Sequence, residues 1–139
     1  MSMSNTDKSR WQQRLENFCR ALAQIDKACD QEDYSDLERA GLVQMFEFSC
    51  ELSWKALKDL LFYEGYEVKS PREVIRKSFE TEYMNEDDSE VFLDVLDKRN
   101  LLSHTYEGET ALEAERLIKG RFCPPLRRMC NAMEAKRGS

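Results

Sequence analysis

Within eight positions, Arg99-Asn100-Leu101-Leu102-Ser103-His104-Thr105-Tyr106, the chain gathers an arginine, a tyrosine and its only histidine. These side chains suit phosphate chemistry that needs no metal. A guanidinium offers a planar fork of donors to a phosphate, an imidazole moves a proton near neutral pH, and a phenol donates a hydrogen bond or accepts a transferred group. On RNA, His104 would take the proton of a 2′-hydroxyl and supply one to the leaving 5′-oxygen, while Arg99 stabilises charge building on the phosphate. The competing reading is structural: Arg99 pairs with Asp94, Asp97 or another carboxylate, and His104 closes a helix.

The elements around these residues must bring them together. Arg99 follows Phe92 by seven positions, Val95 by four and Leu96 by three, so it sits on the apolar stripe of its helix and needs a carboxylate, a phosphate or a wet crevice. Tyr106 falls on the same face if the helix continues. His104 does not, because five residues at ~100° each turn it roughly 140° away from Arg99. Convergence requires the helix to end or distort near Leu102 to His104, or a facing copy in a dimer. A two-fold interface through that helix would set two Arg-His pairs at one crevice.

The remaining pattern predicts an all-α, up-and-down four-helix bundle with an additional short helix, dimeric, as one domain over 1–139. Trp11, Leu15, Phe18, Leu22 and Ile25 alternate at spacings of four and three, the stripe of a helix from about Asp7 to Asp30. Ser35 and Glu38 form a capping box, and the helix it opens runs from about Leu42 to Glu64 with Gly65 as its stop. That helix carries too many apolar residues for one stripe, which leaves two choices: a central helix wrapped by its own chain, or a subunit interface as well as a core. Ser70-Pro71-Arg72-Glu73 starts a short third helix ending near Phe79 or Glu80. Phe92, Val95, Leu96 and Leu102 mark the fourth. Thr110 and Glu113 open the fifth, which Pro124-Pro125 must kink or interrupt before a last segment to about Ala135.

The composition, with 35% charged and 41% hydrophobic residues, 5 Gly and 3 Pro, argues against a turn-rich sandwich or barrel. No run approaches the ~20 apolar residues of a membrane span, and the polar start lacks a signal-peptide centre. The expected location is the cytoplasm, with no membrane partner. Cys19, Cys29, Cys50, Cys123 and Cys130 are odd in number without Cys-x-x-Cys spacing, and read as reduced thiols. With one histidine and scattered cysteines, neither a metal site nor a cofactor is expected. Net charge is −6, yet Glu80 to Asp97 holds eight acids and no base, whereas seven bases stand from Arg116 onward against Glu134 alone. The basic tail suits RNA phosphates or an acidic partner, or is a solvated helix face.

The chain resembles the HEPN superfamily, whose signature is Arg, four to six residues, His, one residue, Tyr. More closely, it is similar to the nucleotidyltransferase substrate-binding proteins and the related HepT-type toxins. The resemblance runs from about Leu42 to Glu113 through Val43-Gln44-Met45-Phe46-Glu47, Trp54-Lys55-Ala56-Leu57-Lys58-Asp59, Ser70-Pro71-Arg72-Glu73-Val74-Ile75-Arg76 and Asp97 to Tyr106. It implies a dimeric bundle working beside a separately encoded small nucleotidyltransferase. In toxin members the Arg and His, here Arg99 and His104, form a metal-independent ribonuclease site at the dimer interface, and the antitoxin silences it by transferring AMP to the tyrosine, here Tyr106. Asn100, Asp97, Lys55, Arg72 and Arg76 are supporting or binding candidates. Older naming makes the same proteins non-catalytic substrate-binding subunits, and a scaffold whose polar motif only stabilises a dimer is a third reading.

Overall fold

The computed structural model describes residues 5–98 and 108–137, so Arg99, Asn100, His104 and Tyr106 lie outside the described residues. Six α-helices make up the described fold: α1 (Asn5–Cys29), α2 (Asp36–Tyr63), α3 (Pro71–Glu80), α4 (Glu86–Asp97), α5 (Gly108–Leu117) and α6 (Cys123–Arg137). A π-helical turn, Ile118–Phe122, joins the last two. The result is an all-helical bundle in which α3 is the short extra helix.

Local sequence accounts for most of these boundaries. The α1 stripe is the core face: Trp11, Leu15, Phe18, Leu22 and Ile25 are buried. The predicted capping box forms, with the Glu38 amide donating to Ser35 Oγ at 3.1 Å and the Ser35 amide donating to Glu38 Oε1 at 2.9 Å. Helix α2 therefore starts at Asp36, directly after the cap, and runs through Gly41 into the Gly- and Pro-free stretch from Leu42. It ends in a Schellman turn, where the Tyr66 amide reaches Leu61 O at 2.8 Å and the Gly65 amide reaches Phe62 O at 3.0 Å. Gly65 at φ +98° takes the left-handed position that this turn demands. The exit of α3 repeats the motif with a glutamate: Tyr83 N–H bonds Ser78 O, Glu82 N–H bonds Phe79 O, and Glu82 has φ +67°.

Packing shows how far α2 is wrapped by its own chain. It touches α1, α3, α5 and α6, and its Leu42, Val43, Phe46, Trp54, Leu57, Leu60 and Leu61 are buried, so its own chain wraps most of it. Phe46 stacks on Phe122 at 5.5 Å and Trp54 meets Phe92 edge-on at 5.9 Å. Trp54 is thus a core residue. Phe48 and Phe62 are the exposed remainder.

One expectation is met slightly upstream of its signal and one needs correction. The last helix is interrupted as expected, but just ahead of the proline pair. Pro124 and Pro125 lack N–H donors, and the wide turn just before them absorbs the mismatch, with the Cys123 amide bonding Ile118 O five residues back. The cysteines are not all thiols. Cys19 and Cys130 form a disulfide across α1 and α6 with Cα atoms 6.0 Å apart, a pairing over 111 residues that no local spacing announces. Cys29, Cys50 and Cys123 are not in disulfides. The interacting Cys29 and Cys123 thiols pull the Cys29 pKa down and, with burial, push Cys123 up.

Candidate functional site

The motif begins where α4 stops. Helix α4 opens on Asn85, whose side chain accepts from the Asp88 amide at 2.7 Å, and ends at Asp97, with the Lys98 amide bonded to Asp94 O at 2.9 Å. The end therefore falls immediately before Arg99. The expected break near Leu102 to His104 lies outside the described residues, but α4 has already left helical geometry at Lys98.

Two ion-pair clusters fix that end. Arg72 Nη2 lies 2.5 Å from Asp97 Oδ1 and joins the first turn of α3 to the last turn of α4. Asp94 receives Lys98 Nζ at 3.1 Å and also Arg121 from the π turn. Burial raises the Asp94 pKa, but the hydrogen bonds from Lys98 and Arg121 outweigh it and hold the carboxyl below its ordinary value. Both carboxylates that stood as partners for Arg99 thus have other cations. Of the supporting candidates, Arg72 and Asp97 come together, Arg76 is exposed one turn further along α3, and Lys55 lies elsewhere.

The basic tail is largely paired. Arg128 forks onto the buried Asp88 at 2.9 and 2.7 Å, Arg127 pairs with Asp26, Arg121 with Asp94, and Arg137 with Glu134 at 3.5 Å. Asp88 and Asp94 belong to the acidic stretch, so acid run and basic tail meet within the chain. Lys55 instead lines a cavity of 490 Å³ with Arg10 and Arg14 of α1, Lys58, Asp59 and Phe62 of α2, and Glu67, Val68 and Lys69 of the α2–α3 connection. Arg14 is paired with Asp59 at 3.1 Å.

Residues 13–135 match the family model described as "Nucleotidyltransferase substrate binding protein like". The chain belongs to this family. The match extends beyond the Leu42 to Glu113 resemblance to take in most of α1 and α6. A crystal structure of a protein from Thermus thermophilus shares the fold, with a TM-score of 0.72 and 32% identity over 86% of this chain and 98% of that one. No curated protein matches the chain.

For a member of this family the cavity is what reading the sequence missed. Arg10 and Arg14 are one helical turn apart, as are Lys55 and Lys58, so each pair shares a helix face. Only the packing of α1 on α2 turns two short basic pairs into one site. Among the described residues no group of three or more His, Cys, Asp and Glu side chains is placed to hold a metal ion, and no helix is long and apolar enough to cross a membrane.

Proposed function

We propose that this family member is a HEPN-type, metal-independent ribonuclease toxin of a two-gene system, silenced by a small nucleotidyltransferase that transfers AMP to Tyr106. The intact Arg99, His104 and Tyr106 motif carries the reading. Asp94 is already engaged by Lys98 and Arg121 and Asp97 by Arg72, so both nearby carboxylates have cation partners other than Arg99. The working unit is a homodimer that sets two copies of the motif at one crevice.

In the reaction, His104 accepts the 2′-hydroxyl proton and the 2′-oxygen attacks phosphorus. The bond to the 5′-oxygen breaks, and that oxygen takes a proton from the imidazolium of one of the two copies. The products are a 2′,3′-cyclic phosphate and a free 5′-hydroxyl. Arg99 acts on the charge of the phosphorane-like transition state, so its loss lowers kcat more than it weakens binding.

A protein shown by intact mass to be unmodified, incubated with RNA in a metal chelator beside its His104→Ala variant, tests this. Cleavage by the wild type alone supports it. Equal silence from both supports the second reading, which the family description itself favours: a non-catalytic subunit that presents substrate to the nucleotidyltransferase. Sedimentation of the same samples tests the homodimer.

A further inference from the structure

We propose that the cavity lined by Arg10, Arg14, Lys55, Lys58, Phe62 and Lys69 binds single-stranded RNA. The inference rests on the ribonuclease reading for its choice of ligand. The site carries five cations against two carboxylates, a local net charge of +3 in a chain whose total is −6. Elsewhere, four arginines of the tail are paired off on Asp26, Asp88, Asp94 and Glu134. Here Arg10, Lys55, Lys58 and Lys69 have no ion pair among the described residues. Unpaired cations held together repel each other, and a polyanion relieves that repulsion while releasing its own counterions.

Phe62 separates RNA from other polyanions. Its side chain is 50% exposed in the wall of this cavity, although most of the large apolar residues of α2 are buried. An open aromatic face among lysines and arginines is the arrangement that holds unpaired bases, by stacking the base while cations track the backbone. A polyanion without bases would engage the cations but leave the ring unused. A volume of 490 Å³ falls within the ~300–1,000 Å³ of ordinary ligand sites.

The cavity also reaches the residue before the α3 cap. Lys69 stands beside Ser70, which caps α3, and Arg72 in the first turn of α3 grips Asp97, two residues before Arg99. On this proposal a strand seated on Lys55, Lys58 and Phe62 also passes Lys69, the lining residue next to the α3 cap. The site is therefore a subsite for RNA flanking the bond to be cut.

The test uses the intact protein carrying His104→Ala, a fluorescein-labelled 12-nucleotide single-stranded RNA and anisotropy across a salt series. Adding Lys55→Glu and Lys58→Glu should weaken binding at least tenfold at low salt and flatten the salt slope by about 1.4, the loss of two phosphate contacts at ~0.7 each on a single strand. Phe62→Ala should weaken binding about fivefold or more with the slope unchanged. With His104 intact, cleavage of the 12-nucleotide RNA should fall on charge reversal while cleavage of a dinucleotide keeps its original rate. Wild-type RNA affinity in both the charge-reversed and Phe62 variants overturns the proposal, and if those variants lose binding to the nucleotidyltransferase instead, the surface belongs to a protein. Equal weakening for duplex and single strand, with no effect of Phe62→Ala, also overturns it. If the protein cuts no RNA yet its binding responds as expected, the subsite stands and the ribonuclease reading fails. Lys58→Gln, with circular dichroism, guards against misfolding as the cause.

Discussion

Arg72 Nη2 contacts Asp97 Oδ1 at 2.5 Å across a separation of 25 residues, and this pair sets where α4 ends relative to α3. Its side chains are 50% and 61% exposed, so solvent screens the attraction and the contribution to stability is at most about 1 kcal/mol. Its importance lies in position. Arg72→Ala should shift the melting temperature by no more than a few degrees; on the ribonuclease reading it should also reduce RNA cleavage several-fold, and the charge swap of Arg72→Asp with Asp97→Arg should recover part of the rate. Loss of rate in step with loss of folded protein would reduce the pair to a stability element.

Asp94 makes the junction of α4 and the π turn sensitive to acid. Its pKa is lowered in the folded state, so it is charged and paired at neutral pH, and its stabilising effect is fully present above the ordinary value of 3.8. Below that value the unfolded chain takes up a proton that the folded one does not, and the stabilisation drains away until pH has fallen through the lower folded value, where the pairs with Lys98 and Arg121 are lost. Thermal melts from pH 6 to pH 2 should therefore show a steeper acid decline for the wild type than for Asp94→Asn, which starts less stable. Parallel curves would mean that Asp94 does not titrate differently in the two states.

The predicted pattern and the structure agree where a signal is local. The α1 stripe, the Ser35–Glu38 box and the Ser70-Pro71 start of α3 each need only a few neighbouring residues to be read. Failures occur where a partner is remote. Nothing near Cys19 points to Cys130, and nothing near Arg128 points to Asp88. The prolines at 124 and 125 signal a break, but the adjustment lies upstream, in Ile118–Phe122, where backbone hydrogen bonding rather than side-chain type carries it. Arg72, Asp97 and Lys55 are each legible as polar residues in matched segments. That the first two meet while Lys55 joins Arg10 is a property of helix packing.

Removing the disulfide should weaken the fold without changing it. Closing a loop of about 100 residues stabilises by up to ~4.7 kcal/mol in the chain-entropy picture, within an observed range of roughly 0–5. Cys19→Ser, Cys130→Ser and the reduced wild type should all melt lower and by similar amounts, with unchanged helix content by circular dichroism. A protein whose melting ignores reductant would show that the bond is absent in solution.

Glu82 carries a conformational cost that a glycine would not. Its φ of +67° completes the α3 exit with the same hydrogen bonds that Gly65 makes after α2. Left-handed geometry costs an L-residue about 1–2 kcal/mol, a gain for glycine that is partly offset by its freer unfolded chain. Glu82→Gly should raise stability by about 0.5–1 kcal/mol in urea titrations, and a fall would show that the glutamate side chain holds something the backbone cost conceals.

The bond between Cys19 and Cys130 makes the chain from one to the other a covalent ring. Arg99, His104 and Tyr106 all lie inside it. A single proteolytic cut in residues 99–107 opens the ring but releases no fragment: the two pieces migrate as one molecule until a reductant is added, then part into an amino-terminal and a carboxyl-terminal piece.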